Sequence, residues 1–334
     1  MSPRATFTLL ASLSLSASGV ALVIALTGER GSLAQLGTLS ARALLVSALL
    51  LALHYAAGGV RLALLARLCG APVSMWRSVR AFILGLFCAA LTPSGGGNAP
   101  AIALSLRRDG LPTSLAWAVT LYTSVLDLLF FAWSVPLAAL VLYLGGYLPP
   151  LFLWLSLLAA PLCLGLWYGL SFRLSKLRRL LLALFAIPFL KRWQRVAARF
   201  LGQFDETAQF IAQQPLRTQL LLQASTAALH LALYAIFYAA AKDFGLEVGL
   251  GETLALLLLV SITSYVVPTP GSSGYLEVAL TYAFAANGNA ALVIPAVLAW
   301  RGLSFYLSIV IGATLGGGIL IREVTARPKG EVRV

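Results

Sequence analysis

Long apolar runs recur along this chain, and they constrain its fold more than any other feature. They occupy about residues 5–27, 43–60, 81–106, 113–144, 151–171, 218–241, 253–286 and 290–321. A helix needs roughly 20 apolar residues to cross the hydrocarbon core of a bilayer, and most of the runs reach that length. Hydrophobic residues make up 60% of the chain and charged residues 10%, which is outside the range of soluble domains. The runs therefore predict an all-α polytopic membrane protein.

Two of these runs are interrupted by loops rich in proline and glycine. The first loop is Thr92-Pro93-Ser94-Gly95-Gly96-Gly97-Asn98, and the second loop is Pro268-Thr269-Pro270-Gly271-Ser272-Ser273-Gly274, with Glu277 just beyond it. The Thr-Pro pairs of the two loops lie 177 positions apart. Interrupted apolar segments at corresponding places in two halves mark the binding site of many transporters. The loops therefore indicate a duplicated structural element.

Basic residues predict which side of the membrane each connection faces, because short loops rich in Lys and Arg stay in the cytoplasm. The connection 61–80 carries Arg61, Arg67, Arg77 and Arg80 without an acid, and the connection 172–217 carries nine basic residues. We expect both to be cytoplasmic, and we expect 28–41 and 242–252 to lie outside. Run 81–106 is basic at both ends, so it is predicted to enter and leave from the cytoplasm as a re-entrant hairpin, and run 253–286 to do the same from outside.

These assignments predict about six full transmembrane helices plus two opposed re-entrant hairpins in an inverted repeat, within one domain spanning 1–334. Repeat 1 covers about 74–144, the basic cytoplasmic loop 172–217 and repeat 2 about 253–321, and the two loops are expected to meet near the middle of the membrane. Run 5–27 is interpreted as a retained span and both termini as cytoplasmic. Segment 174–190 is either an amphipathic helix on anionic lipid or an ordinary charged loop.

The net charge of +13 indicates contact with anionic lipid surfaces, because the basic residues lie between apolar runs. We expect no nucleic-acid partner. Cys69, Cys88 and Cys163 are scattered in apolar surroundings with no His nearby in sequence. This favours packing over a metal or redox site, and we expect no cofactor and no metal.

Ionisable residues inside the apolar runs are few, and each is a candidate for function because burying a charge in a membrane is costly. Arg301 is expected either to bind a head-group phosphate or to form an ion pair with Asp127 or Glu277. Asp127 is either a proton-coupling carboxylate or the partner of Arg301, and Glu277 either caps the returning helix or gates a substrate. His54 and His230 are expected to form hydrogen bonds between helices rather than to relay protons.

The glycine-rich loops leave backbone N–H groups able to bind an anionic group, although glycine clusters also serve close packing. We predict a set of substrate-binding residues without catalytic or metal-ligating members. The set is Pro93, Gly96, Gly97, Asn98, Asp127, Pro270, Gly271, Gly274, Glu277 and Arg301. We do not expect an enzyme, because the connections contain no HExxH, DxD or Ser/His pair, 28–41 offers only Glu29, and the acids of 242–252 have no His or Arg near them.

The order of these motifs resembles the lysylphosphatidylglycerol synthase transmembrane-region family, also called the flippase-like domain, over nearly the whole chain. The matching residues are Thr92-Pro93 and its glycines, Asp109-Gly110, Asp127, Pro268-Thr269-Pro270-Gly271 through Gly274, Glu277, Gly288 and Arg301. The resemblance implies a bacterial inner-membrane protein that moves, or helps to move, a lipid between leaflets. Its partners would be membrane lipids, anionic or of polyprenyl or hopanoid type, with a lipid-synthesis enzyme as a further candidate.

The chain departs from the family pattern in its first half. Asn98 and Ala101 stand where an acid and an Arg are common, and Ser124 stands where an Arg is common three residues before the acid at Asp127. The first site is therefore expected to bind a less charged head group or to have lost part of its function. Some members carry a soluble aminoacyl-transferase domain, and this chain, ending at Val334, is expected to lack that synthase activity.

The leading hypothesis is a lipid transporter or flippase that moves an anionic or phosphate-bearing lipid, with Arg301 on the phosphate and Asp127 and Glu277 balancing or coupling charge. One alternative is a secondary transporter of a small ion or solute on the same architecture. Another is a non-transporting scaffold that recruits lipid-modifying enzymes through 172–217. ATP coupling is not expected, because the chain has no nucleotide-binding motif. If only one loop contacts a charged head group, the second is predicted, since it keeps Glu277 and Arg301.

Overall fold

The computed structural model describes residues 35–92, 95–172, 194–265, 267, 269, 271–285 and 290–317. All regular structure in these ranges is helical, as predicted. The expected first span at 5–27, the segment 174–190, the turn at Gly288 and the charged tail lie outside the described residues.

Ten helices follow one another along the described chain. They are α1 (Ala41–Leu68), α2 (Met75–Ala90), α3 (Asn98–Arg108), α4 (Thr113–Leu144), α5 (Pro150–Phe172), α6 (Gln194–Ala212), α7 (Leu216–Asp243), α8 (Leu250–Ser264), α9 (Tyr275–Ala285) and α10 (Ala290–Arg301). Beyond α10 the helix continues through a π-helical turn at Gly302–Tyr306, an α-helical turn at Leu307–Gly312 and a second π-helical turn at Ala313–Gly317.

Five described helices are long and apolar enough to cross a bilayer. They are Ala41–Leu68, Thr113–Leu144, Pro150–Phe172, Leu216–Asp243 and Ala291–Gly316. Each corresponds to one of the six predicted full spans, and the sixth, 5–27, is not among the described residues. The remaining apolar helices are too short to cross, since 16 residues of α2 extend about 24 Å against a hydrocarbon core of roughly 30 Å.

The connection predicted at 61–80 begins too early, at the end of the apolar run 43–60. Helix α1 continues to Leu68, so Arg61 lies within the helix and not in the predicted cytoplasmic connection. Arg61 is only 5% exposed. A charged residue interrupts the hydropathy pattern, but the helix continues because Asp127 of α4 neutralises the guanidinium.

Helices α1 and α7 pack side by side as an antiparallel pair. At one end, the N–H and the hydroxyl of Ser40 donate to the Asp243 carboxylate at 2.7 and 2.6 Å, and the Ser40 hydroxyl caps α1 by accepting the Ala43 N–H at 3.1 Å. Halfway along the pair, Nδ1 of His54 donates to the carbonyl oxygen of Leu229 at 2.7 Å. The predicted interhelical hydrogen bond of His54 is therefore confirmed.

Two short helix pairs flank this centre, each joined by one of the proline-glycine loops. In the first pair, α2 and α3 lie antiparallel, and Arg80 at the start of α2 donates to Asp109 just after α3 at 3.0 Å. Their close approach needs Gly85, because a Cβ there would lie 2.6 Å from the Ile102 side chain. The second loop joins α8 to α9 in the same way.

The core lies where α1, α4, α7 and the last helix meet. Tyr122, Phe130, Tyr234 and Phe237 are its largest fully buried aromatic side chains. Helix α5 differs, because Ser156 and Ser171 are its only buried residues and most of its large apolar side chains are exposed. Such an apolar face is typical of a helix that contacts lipid.

Candidate functional site

The first loop is folded around Thr92. The Thr92 hydroxyl donates to the Cys88 carbonyl at 2.8 Å and accepts the Gly97 N–H at 2.7 Å. A Cβ at Gly97 would lie 2.6 Å from the Cys88 oxygen. The loop can therefore return directly into α3 only because residue 97 has no side chain.

The second loop turns through three residues with positive φ, which are Gly271, Ser272 and Gly274, at 58°, 52° and 83°. A Cβ at Gly271 would lie 2.2 Å from the Phe305 ring, so both the backbone conformation and the available space require glycine there. The Gly274 N–H donates to Oε2 of Glu277 at 2.8 Å. Glu277 thus caps the start of α9, which is one of the two roles predicted for it.

Arg301 ties the last helix to this second loop. Its Nε donates to Oε1 of Glu277 at 2.9 Å, and its Nη2 donates to the Gly271 carbonyl at 3.2 Å and the Ser273 hydroxyl at 3.1 Å. The guanidinium lies 4.1 Å from the centre of the Phe305 ring, a cation–π contact. The side chains of Arg301 and Glu277 are only 4% and 2% exposed, so this is a buried, hydrogen-bonded ion pair.

A second ion pair joins α4 to α1. Nη1 of Arg61 donates to Oδ1 of Asp127, and Nε2 of His230 lies 3.3 Å from the same oxygen. The His230 ring stacks on Phe130 with ring centres 4.9 Å apart. Nε of Arg61 is buried and has no hydrogen-bond partner among the described residues, so this guanidinium retains an unused donor.

The ion-pair partners of Asp127 and Glu277 rule out one of the predicted alternatives. Asp127 is not the partner of Arg301. Asp127 forms an ion pair with Arg61, and Arg301 forms one with Glu277. The chain has Ser124 where the family resemblance leads us to expect an arginine beside Asp127, and the guanidinium comes from α1 instead. The acid is still neutralised, through a residue 66 positions away.

A cavity of about 310 Å³ lies between these two ion pairs. Both loops reach it, through Gly95 and Asn98 of the first and through Gly271 and Ser272 of the second. Its other polar lining residues are His54, Arg61, Asp127, His230, Tyr234, Ser261, Ser264, Tyr265, Arg301, Ser304 and Ser308. A cavity with several polar and charged groups in its wall thus lies among helices that are otherwise apolar.

Four of the ten predicted binding residues line this cavity and four do not. The four that line it are Asn98, Asp127, Gly271 and Arg301. Glu277, Gly274, Gly96 and Gly97 lie outside its lining, and the contacts above show Glu277, Gly274 and Gly97 shaping the loops. Pro93 and Pro270 lie outside the described residues.

Several lining residues were not predicted as site residues from the sequence, and they include Arg61 and the serines Ser261, Ser264, Ser272, Ser304 and Ser308. A signal for Arg61 was present, since His54 and Arg61 are seven residues apart and therefore share one face of a helix. Both line the cavity. The serines carried no such signal, because isolated serines are common in membrane helices and bond to their own backbone.

Comparison with known proteins places the chain in a membrane-protein context. The family profile described as the lysylphosphatidylglycerol synthase TM region matches residues 9–312. A UPF0104 membrane protein from Archaeoglobus fulgidus is 24% identical over 280 residues, which cover 81% of this chain and 84% of that protein. The match extends across both loops and both ion pairs.

Proposed function

The chain belongs to the lysylphosphatidylglycerol synthase TM region family, and from that premise we propose that it transports a phosphate-bearing lipid between the leaflets of the bacterial inner membrane. The observation that carries the proposal is the cavity among apolar helices, which is lined by both loops, by the Arg61–Asp127 pair and by Arg301 of the second ion pair. Buried charges inside a membrane are expensive and line substrate pathways. No covalent chemistry is part of this proposal.

Two contacts support re-entrant insertion of the first helix pair. Oδ1 of Asp109 lies 3.0 Å from Nη2 of Arg80 and 3.8 Å from Nε of Arg77. The start of α2 and the end of α3 therefore lie at the same end of the pair. Arg107 and Arg108 follow there as well. Because arginines favour the cytoplasmic side, both ends of the pair face the cytoplasm and the first loop reaches into the membrane.

Matching helix lengths support an inverted repeat. Helices α1 and α7 each contain 28 residues, α2 and α8 contain 16 and 15, and α3 and α9 each contain 11. Each second helix begins 175 to 177 positions after the first. The repeat unit on this basis is a long helix, a short pair and another long helix, so it includes α1 and α7 as well as the hairpins.

Contacts between equivalent residues support a two-fold relation between the units. His54 and Leu229 are 175 positions apart, occupy the same place in α1 and α7, and contact each other. A two-fold axis brings equivalent residues together where it passes through the molecule. The cavity lining follows the same offset, since Leu86, Ala89 and Ala90 of α2 correspond to Ser261, Ser264 and Tyr265 at the end of α8.

Lipid transport on this architecture places the head group in the cavity and leaves the acyl chains outside it. A volume of about 310 Å³ lies at the lower end of small-molecule pockets. The guanidinium of Arg61 lines the cavity and can donate to a phosphate, while Arg301 holds the second loop beside it. Rocking one unit against the other around the axis then exposes the head group to each side in turn.

Transport can be tested with purified protein in vesicles that contain phosphatidylglycerol labelled on an acyl chain. Wild type should move the lipid between leaflets, and Arg61→Ala and Arg301→Ala should each slow it by about tenfold or more, since each removes a charge-assisted hydrogen bond. Arg217→Ala, at an exposed position remote from the cavity lining, is the matched control and should leave the rate unchanged. Equal rates in protein-containing and empty vesicles would overturn the proposal.

A further inference from the structure

The ion pair between Arg61 and Asp127 leaves part of each charged group unused. Nη1 of Arg61 donates to Oδ1 of Asp127, and Nε2 of His230 lies beside that same oxygen. Oδ2 of Asp127 has no partner among the described residues, and 23% of the Asp127 side-chain surface is exposed. Because Asp127 lines the cavity, Oδ2 is an acceptor that a ligand there can reach.

The guanidinium of Arg61 offers a donor next to that acceptor. Nε of Arg61 is enclosed and unpartnered, whereas Nη2 also has no partner among the described residues but is not enclosed. Arg61 lines the cavity, so Nη2 is a nitrogen that a ligand can reach. One contacting pair of side chains thus presents both a charged donor and a charged acceptor.

The charged groups around the cavity cancel one another. Those in the lining are Arg61, Asp127 and Arg301, and Glu277 neutralises Arg301 although it does not line the cavity. A ligand with a single negative charge would leave that charge uncompensated, and so would a ligand with a single positive charge. A ligand that carries both charges brings its own compensation.

The two histidines of the lining do not change this balance. Nδ1 of His54 donates to the Leu229 carbonyl, and no carboxylate of the described residues contacts this ring. His230 shares Oδ1 of Asp127 with Arg61, so a proton on His230 would place two cations against one carboxylate. Both rings are therefore counted as neutral, because a buried charge needs a counter-ion of its own.

Aromatic side chains lie on the Asp127 side of the cavity. The Tyr234 ring centre lies 6.3 Å from that of His230, which contacts Asp127. The Tyr265 ring centre lies 6.0 Å from that of Phe131, which in turn lies 5.3 Å from that of His230. Both tyrosines line the cavity. Aromatic faces attract cations and phenol oxygens accept hydrogen bonds, so a cationic group is stabilised there.

We infer that the cavity selects lipids with a zwitterionic head group, whose phosphate accepts from Nη2 of Arg61 and whose ammonium lies against Oδ2 of Asp127. A two-carbon link joins phosphate to ammonium in ethanolamine and choline head groups, so both charges can reach side chains that contact each other. A primary ammonium is favoured over a quaternary one, because only the former donates hydrogen bonds. This inference rests on the proposed transport function and names its substrate class.

Trace amounts of lipids with identical labelled acyl chains, in otherwise identical vesicles, test this selection. Phosphatidylethanolamine should move about tenfold faster than phosphatidylglycerol, because its ammonium compensates the phosphate and bonds to Asp127. Phosphatidylglycerol should still move faster than in empty vesicles, since its phosphate also binds Arg61. In N-acetylphosphatidylethanolamine a neutral amide replaces the ammonium, and this lipid should move as slowly as phosphatidylglycerol.

A substitution of the acid should reverse the preference. Asp127→Asn keeps the shape of the side chain but leaves the Arg61 charge to the lipid phosphate, so phosphatidylglycerol should then move at least as fast as phosphatidylethanolamine. Asp109→Asn is the matched control, because Asp109 also pairs with an arginine, Arg80, but lies outside the cavity lining. It should leave the preference unchanged. The ratio of two rates within one variant does not depend on how much of that variant is folded.

The outcomes separate this inference from the transport proposal. Wild-type protein that moves phosphatidylglycerol or the N-acetyl lipid as fast as phosphatidylethanolamine would overturn zwitterion selection and leave transport standing. An Asp127→Asn variant that keeps the wild-type preference would do the same, and if this variant does not fold, the wild-type comparison decides. If no lipid moves, transport fails, and binding to the detergent-purified protein decides the inference. Glycerophosphoethanolamine should then raise the unfolding temperature more than glycerophosphoglycerol, and an equal rise would overturn zwitterion selection.

Discussion

Replacing Glu277 by Ala should destabilise the protein more than almost any other single substitution in the described chain. The change leaves the Arg301 guanidinium buried and charged without its counter-ion, which costs about 3–5 kcal/mol. It also removes the acceptor of the Gly274 N–H at the start of α9, and losing such a cap costs about 1 kcal/mol. The free energy of unfolding should therefore fall by roughly 4–6 kcal/mol.

The measurement is thermal unfolding of the purified protein in mild detergent, followed by tryptophan fluorescence. A loss of this size should lower the unfolding temperature by about 10 °C. The matched variant is the double substitution Glu277→Ala with Arg301→Met, which removes the uncompensated charge and should recover most of the lost stability. An unfolding temperature for Glu277→Ala within about 2 °C of wild type, or a double variant no more stable than the single one, would refute the buried ion pair.

The second loop and the first hairpin each give a further prediction. Gly271→Ala should destabilise the protein and slow lipid movement, because its Cβ would collide with Phe305 and alanine disfavours a positive φ; thermal unfolding and the vesicle assay measure both, and a variant equal to wild type would contradict the loop geometry. In a variant without native cysteines, Cys at the exposed positions Arg77 and Arg107 should react with an impermeant thiol reagent from the same side of the membrane, whereas Cys at Glu247 should react from the other. Labelling of the first two from opposite sides would rule out re-entry.

Hydropathy predicted the positions of the long helices closely, except where a charged residue stood at the end of an apolar run. The apolar run 113–144 coincides with α4, because the single acid in it, Asp127, is compensated within the fold. The run that preceded Arg61 was cut short at residue 60, whereas α1 extends to Leu68. Local hydropathy counts a charge as a break because it contains no information on a partner that comes from another helix.

For the same reason, the local sequence pattern could not predict which acid pairs with which arginine. Arg301 had two candidate acids, and only the packing of the second loop against the last helix brings Glu277 to it. Proline-glycine composition identified the loops and the offset between them. It did not reveal that Gly271 contributes a carbonyl acceptor for Arg301, whereas Gly97 donates its N–H to Thr92 within its own loop, since that difference depends on contacts distant in sequence.

The contact between His54 and Leu229 also has a mechanical meaning. Each residue is fourteenth in a helix of 28, so the contact divides both helices into arms of about 20 Å at 1.5 Å per residue. If the two halves rock, this point acts as the fulcrum of a balanced lever, because a rotation of about 10° moves each end by about 3.5 Å and leaves the centre where it is. The hydrogen bond can then persist through the whole cycle while the ends of α1 and α7 separate on one side of the membrane and approach on the other.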